Sequence, residues 1–271
     1  MRSKNVLLVF AAAVASVGFS GDLTAKIAAK CPVTGTDEWY GCRRTVFRFD
    51  GHEAWVVEPP VGVKVAEGSP WTWTMQWATA YVPRTSVPRL VKERGWRHAT
   101  VITYKEKMDP HGLEVSARFQ KYLVEGLGFA KKAHLIGMSW GGFFSTRYAA
   151  AHPENVAKIY YDAPLMNFAG FASPTEDRIG PWAKLGVTDW NADPRMPVNL
   201  AEPIAKAGIP VLILYGGQDT VVNPALNCER FILRFKAAGG KITVDKRGLF
   251  GHHPHGVDPD KTGAIVNFFK P

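Results

Sequence analysis

Residues His134 to Ser145 read HLIGMSWGGFFS. A mostly apolar run enters Gly137-Met138-Ser139-Trp140-Gly141-Gly142 and continues into a helical pattern. A serine between glycines costs backbone entropy and contributes nothing to a core. The stretch is therefore either an ordinary tight strand-to-helix connection or a turn that lifts Ser139 out for chemistry. On periodicity, Ala133 to Met138 is a buried strand. Gly142 to Ala151 is a helix, closed near His152-Pro153.

Working outward, strands and helices alternate. Lys158 to Asp162 (KIYYD) reads as a strand, Asn199 to Ala207 as a helix closed by Gly208, and Val211 to Tyr215 (VLILY) as a fully apolar strand. Pro224 to Ala238 reads as a helix, Lys241 to Val244 as a strand, and Asp258 to Phe269 as a last helix with Asp258 as N-cap and Pro259 at its first position. Upstream, Thr45 to Val57 gives two strands around Asp50-Gly51-His52. Trp71 to Trp77 is a strand or the loop leaving one, His98 to Tyr104 is a β-branched strand, and Leu113 to Leu127 has helical spacing. This alternation predicts an α/β fold, a mostly parallel sheet covered by helices on both faces, with an antiparallel N-terminal edge. Residues 165–198, rich in Pro, Gly and Trp, interrupt the rhythm, and connections this long are usually functional or lid-like. There is no internal repeat and no low-complexity tract.

Composition agrees with a globular domain: of 271 residues, 46% are apolar and 21% charged. Nine Trp are more than a core of this size needs, so some are expected at a binding surface. Residues 1–20 stand apart. Arg2 and Lys4 precede the uncharged apolar run Val6 to Phe19, with small residues at Gly18 and Ser20. The run is too short to span a bilayer comfortably and reads as an export signal, with an N-terminal anchor or a buried first helix as the alternatives. Cleavage would leave residues 21–271 as one domain, secreted or periplasmic. That compartment permits disulfides, so Cys31 and Cys42 are candidates for a local bridge, with Cys228 a buried thiol. The three cysteines do not have metal-site spacing. The net charge of +9 comes from scattered basic residues, not a basic arm, so no nucleic-acid partner is expected. A preference for anionic substrates has no cluster behind it in the sequence.

In an open α/β sheet, ligands bind at the carboxyl ends of the strands. Three candidates fall there in the order Ser139, Asp219 (in YGGQDTVVNP) and His252 (in RGLFGHHPHGV). A serine hydroxyl needs a base to take its proton, a neutral imidazole does this near pH 7, and a carboxylate on the far ring nitrogen sets the tautomer. Small residues at 137 and 141 would let the helix close onto the strand. The Trp140 N–H, at the start of that helix, would then face a developing oxyanion.

Gly137-Met138-Ser139-Trp140-Gly141 matches G-x-S-x-G. With GGQD and GHH after later strands, residues 44 to 270 resemble the α/β-hydrolase fold, closest to exported bacterial esterases and prolyl-oligopeptidase-like enzymes. The resemblance implies Ser139 as nucleophile, Asp219 as acid with Asp162 as the rival, and His252 as base with His253 as the alternative. His255 is expected in a supporting or surface role, and His52, His98, His111, His134 and His152 as structural. The family places a His-Gly motif after its third strand. This chain has GSPWTW there instead, so the backbone N–H of Trp71 or Thr72 is the expected second oxyanion donor. Residues 108–112 are a further candidate border of the site. The Trp71, Trp73, Trp77 stripe is either core packing or pocket wall.

The expected activity is serine-dependent cleavage of a small-molecule or carbohydrate ester through an acyl-enzyme, with no metal or organic cofactor and no membrane partner after signal cleavage. A peptidase is the second reading, disfavoured because such enzymes carry a large gating domain and 165–198 is a small insertion. A non-catalytic binding module is the third, disfavoured because all three candidate residues are present in order.

Overall fold

The computed structural model describes residues 22–171, 175–252 and 263–270. The signal-like segment 1–20, His253, His255, Asp258 and Pro259 lie outside the described residues.

The strands are β1 (Val33–Trp39), β2 (Cys42–Phe49), β3 (His52–Glu58), β4 (Trp71–Thr74), β5 (Arg97–Val101), β6 (Ala133–Met138), β7 (Val156–Asp162), β8 (Val211–Gly216) and β9 (Ile242–Arg247). Among the described residues they form one nine-stranded sheet ordered β1-β2-β3-β5-β4-β6-β7-β8-β9. β1, β2 and β3 join antiparallel, and β3 pairs antiparallel with β5. From β5 onward every pairing is parallel. The antiparallel edge and the parallel body are as expected. β1 (VTGTDEW) escapes sequence reading because most of its side chains are exposed. It is held by backbone pairing to β2, which leaves no hydrophobic alternation to detect.

Successive strand residues point to opposite faces. Leu135, Ile159, Tyr161 and Ile213 pack on one face with Phe119 of α3 (Pro110–Lys121), Phe143 of α4 (Trp140–Ala151), Ile204 of α6 (Ala201–Lys206) and Phe231 of α7 (Cys228–Ala237). Ile136, Tyr160 and Leu212 pack on the other face with Leu90 of α2 (Val87–Arg94) and Val266 of α8 (Gly263–Phe269). This division corrects the expected local bridge. Cys42 is buried in the α2/α8 core, Cys31 packs against the opposite one, and both thiols are free, as is Cys228.

Helix α3 begins earlier than its periodicity suggests, because Asp109 caps it, accepting a hydrogen bond from Gly112 N at 2.8 Å. A single turn of π-helix, Tyr122–Gly126, extends it. No helix among the described residues is long and apolar enough to cross a membrane.

The described residues of the segment 165–198 are irregular, with the short helix α5 (Glu176–Ile179) and single turns. It is fastened at both ends. Asn227 Oδ1 accepts from Met166 N and Asn167 N, each at 2.7 Å. Arg147 of α4 lies over the Trp182 ring, 4.6 Å from its centroid, and donates to Arg195 O at 2.8 Å. Leu165, Met166, Phe168, Met196 and Val198 are all buried. These residues of the segment are thus packed against α4 and the core.

Candidate active site

The turn after β6 is as tight as its sequence suggests. Ser139 has φ 49° and ψ −117°, a left-handed φ that non-glycine residues rarely adopt. A Cβ on Gly137 would lie 2.7 Å from Gly141 O. On Gly142 it would lie 2.2 Å from Pro164 Cβ, whereas on Gly141 the nearest atom is Gln76 N at 3.4 Å. The closest approaches are therefore at 137 and 142, not at 137 and 141. The strained turn is braced by its own backbone: Ser139 N donates to Asp162 O at 2.9 Å, and Leu165 N donates to Ser139 O at 2.8 Å.

The second element is the loop after β8. Asp219 accepts from Val221 N at 2.9 Å and Val222 N at 2.8 Å through Oδ1 alone. Its other oxygen, Oδ2, faces His252 Nδ1 at 2.7 Å. The side chain thus caps the turn and pairs with the histidine through different oxygens. A carboxylate only accepts, so Nδ1 carries the proton and Nε2 is left as an acceptor. Nε2 lies 3.1 Å from Ser139 Oγ. The His252 and Asp219 side chains are 8% and 3% exposed, so the pair is shielded from water.

The third element, the loop after β9, delivers His252 by crossing directly over β8. Gln218 N donates to Phe250 O at 2.9 Å, and Gly217 N donates to Arg247 O at 2.9 Å. A Cβ on Gly216 would meet Gly251 O at 2.0 Å. The two glycines before Gln218 and Asp219 therefore make room for the histidine loop.

Asp162 is wholly buried at the end of β7, and its Oδ2 accepts from the Tyr160 hydroxyl at 2.7 Å. The carboxylate at His252 Nδ1 is that of Asp219. The alternative base His253 lies outside the described residues.

Trp71 is a correction. It begins β4, level with the start of β6, while Ser139 follows the end of β6. At about 3.3 Å per residue, six residues put it roughly 20 Å from the serine. Thr72, one step along the same strand and level with His134, is still roughly 17 Å from the turn. Trp71 is fully buried, stacks on Trp73 and donates its indole N–H to Ala130 O at 2.9 Å. The backbone that does reach the turn is the exit of β4, where Gln76 N approaches Gly141. No His-Gly motif marks it, so the sequence offered no signal there. The Trp stripe divides accordingly: Trp71 and Trp73 are core, and Trp77 is 40% exposed at the site.

Beside Ser139 and His252 lies a cavity of about 490 Å³, walled by Trp77, Tyr81, Tyr104, Trp140 and Phe171. Trp140 is buried, its centroid 6.1 Å from Tyr104 and 5.8 Å from Phe171. Lys107 backs this wall, its Nζ 2.9 Å from the Tyr104 centroid and 4.8 Å from that of Trp140. Burial pulls the Lys107 ammonium down to about 8, with Glu106 opposing. Residues 108–112 mainly cap α3.

The model of the α/β-hydrolase fold matches residues 94–178. Solved structures extend the likeness to nearly the whole chain. The S-formylglutathione hydrolase from Agrobacterium tumefaciens is 16% identical with a TM-score of 0.57, covering 88% of this chain and 95% of that one. The chain has the α/β-hydrolase fold. A Mycobacterium tuberculosis puromycin-hydrolyzing peptidase shares this fold at 21% identity and TM-score 0.61, covering 86% of this chain and 38% of its own. Dipeptidyl peptidase 4 of Porphyromonas gingivalis does so at 13% identity and TM-score 0.60, covering 83% and 35%. The chain thus spans little more than a third of the length of these two peptidases. No curated protein matches the sequence.

Proposed function

We propose that this α/β-hydrolase-fold protein is a serine hydrolase that cleaves carboxylic esters through an acyl-enzyme. One observation carries the reading: the continuous relay from Ser139 Oγ to His252 Nε2 and from His252 Nδ1 to Asp219, at the wall of an aromatic cavity. Ser139 attacks the ester carbonyl while His252 takes its proton, and Asp219 stabilises the imidazolium. The oxyanion falls between the Trp140 N–H, at the first turn of α4, and the Gln76 N–H at the exit of β4. His252 then protonates the departing alcohol, and water activated by the same imidazole releases the acid.

The aromatic wall suits an aryl acyl or alcohol group, or the face of a sugar. The fourteen-residue apolar run Val6 to Phe19 behind Arg2 and Lys4 supports export to the periplasm or medium. Peptide-bond cleavage is the second reading, favoured by the likeness to the two peptidases.

Hydrolysis of p-nitrophenyl acetate, butyrate and octanoate, against aminoacyl p-nitroanilides, tests both. Turnover of the esters that is lost in Ser139→Ala and His252→Ala is the expected result. Turnover of the anilides alone moves the peptidase reading to first place. Wild-type rates in Ser139→Ala would overturn the nucleophile assignment.

A further inference from the structure

A buried ammonium stands behind the cavity wall. Lys107 is 4% exposed, and its Nζ lies 2.9 Å from the Tyr104 centroid and 4.8 Å from that of Trp140. Both rings line the cavity that holds Ser139 and His252. Among the described residues no carboxylate forms an ion pair with this ammonium, and Glu106 acts on it through the field of its charge. A buried charge without an ionic partner is costly, and the two electron-rich ring faces offset that cost here.

The turn that carries Lys107 is strained. Lys107 (φ 44°) and Met108 (φ 56°) are consecutive non-glycine residues in the left-handed region. Such strain persists where the surroundings impose it, and it gathers at functional sites. Trp182 Nε1 donates to Lys107 O and Arg147 Nε donates to Met108 O, each at 2.8 Å. A Cβ on Gly180 would lie 3.1 Å from Lys107 Cγ, so the side chain is walled in as well. Phe143 and Phe168 already pack on Trp140, with centroids at 5.5 and 5.6 Å, so the burial of that ring does not depend on Lys107. What the ammonium adds is direction, at the residue whose backbone N–H opens α4.

We propose that Lys107 is a positioning residue for the hydrolytic reaction: its ammonium clamps the Tyr104 and Trp140 rings and so fixes the Trp140 N–H against the oxyanion. This rests on the hydrolytic reading above and deepens it. The clamp holds only while Lys107 is protonated. Burial pulls that ammonium down to about 8, with Glu106 opposing, so the clamp opens above neutral pH. The other charged or titratable groups around the turn are Tyr104, Lys105, Glu106 and Asp109 on its own stretch, Arg147 of α4, and Arg178 of α5, whose charge reaches the Tyr104 hydroxyl. Burial raises the Tyr104 hydroxyl and pulls Arg147 down only to about 10, so Lys107 changes charge before either.

The first test reads the clamp without catalysis. In protein labelled with nitrogen-15 tryptophan, the Trp140 backbone and indole N–H signals are assigned by their loss in Trp140→Phe. Both should move as the pH rises from neutral to alkaline, with a midpoint of about 8. Neither should move in Lys107→Met, which keeps the length without the charge. Neither should move in Lys107→Arg, which stays charged over this range. The second test is kinetic. At neutral pH, kcat/KM for p-nitrophenyl butyrate should be about tenfold higher in wild type than in Lys107→Met, within the range of a desolvated cation–π contact. At alkaline pH, where wild type has lost the same charge, the ratio should fall to about one. Lys107→Arg should keep most of its activity across the range.

Trp140 signals that stay still in wild type, or that move equally in Lys107→Met, overturn the proposal. So does a ratio of wild type to Lys107→Met that is the same at both pH values, which is what a plain loss of packing gives. If neither esters nor anilides turn over, the hydrolytic reading has failed, and the nitrogen-15 titration still decides whether Lys107 governs Trp140. Should Lys107→Met not fold, Lys107→Arg decides in its place: Trp140 signals that follow the wild-type titration in that variant overturn the proposal.

Discussion

Two loops leave neighbouring strands at the same end of the sheet, and they are encoded in opposite ways. The turn after β6 is forced by residue type: Gly137 and Gly142 have no room for a Cβ, and Ser139 is held at φ 49°. The exit of β4, Met75 to Trp77, has no glycine at all. It is held from outside, by Met75 N donating to Ile136 O at 3.2 Å and by the approach of Gln76 N to Gly141. Where a backbone must touch another backbone, only glycine serves, and the chain advertises the site. Where a loop is merely placed beside its neighbour, many side chains serve, and nothing advertises it.

The largest expected effect breaks the first loop's chemistry without touching its shape. Ser139→Ala and His252→Ala should each lower kcat/KM for a p-nitrophenyl ester by about 10⁴- to 10⁶-fold. Melting temperatures should stay within a few degrees of wild type. Asp219→Asn comes next, at about 10³- to 10⁴-fold, because an amide no longer enforces the Nδ1–H tautomer. A pre-steady-state burst that persists in Asp219→Asn would show that the carboxylate is not needed for acylation.

Gly216→Ala tests whether the glycine logic extends to the histidine loop. The added methyl meets Gly251 O at 2.0 Å, directly before His252. A displaced imidazole costs roughly 100-fold in rate, since misplacement of about 1 Å does so elsewhere. Gly248→Ala is the matched control: its Cβ meets nothing within 4 Å, so kinetics should be unchanged. Equal losses in the two variants would mean that the loop is merely fragile.

This pattern explains what was legible. The parallel body, the elbow and the order Ser139, Asp219, His252 all rest on apolar periodicity or on obligatory glycines, and those survive in a single sequence. Strand β1 was invisible because most of its side chains are exposed, Asp37 pairing with Arg44 of β2 at the surface, so no hydrophobic alternation marks it. The expected second oxyanion donor fell on Trp71, far from the turn, because GSPWTW supplies glycine and proline at the entrance of β4, while the exit near Gly141 carries neither. The place of Arg178 beside the cavity was invisible as well, because it depends on the Phe171 ring beneath it and on a wall shared with a serine far off in sequence. Cys31 and Cys42 looked pairable by separation, and only the sheet between them shows otherwise.

The histidines carry the same contrast into pH dependence. His98 is fully buried beside Thr72 Oγ1 (2.9 Å), and burial pulls it down to about 3. His134, against Trp96 and Phe269, is pulled by burial down to about 4. Both are neutral in the fold and titrate near 6.5 when unfolded. Between those values the unfolded chain binds more protons, so stability rises with pH there. Their contribution is full above pH 6.5 and is lost as the pH falls toward 4. Melting temperature should therefore drop steadily from pH 7 to pH 4.5. His134→Asn, starting lower, should show a flatter slope over the same interval. An unchanged slope would mean that His134 is solvated and free to protonate in the fold.

The smallest effect separates the two ends of β4 most cleanly. Trp71 and Trp77 are close in sequence and both looked able to line a pocket. Trp71→Phe removes the indole N–H from Ala130 O and leaves that carbonyl without this donor, which costs about 1–3 kcal/mol. In a chain of this size each kcal/mol is roughly 2–4 °C of melting temperature. Ester kinetics should stay within twofold, because the change is a strand's length away from Ser139. Trp77→Ala should do the reverse. It removes an exposed ring from the cavity wall, so melting temperature holds while KM for aryl esters rises severalfold. If Trp71→Phe cut kcat tenfold in a protein that still melts cooperatively, the entrance of β4 would be coupled to the site. The division between an advertised turn and a silent exit would then fail.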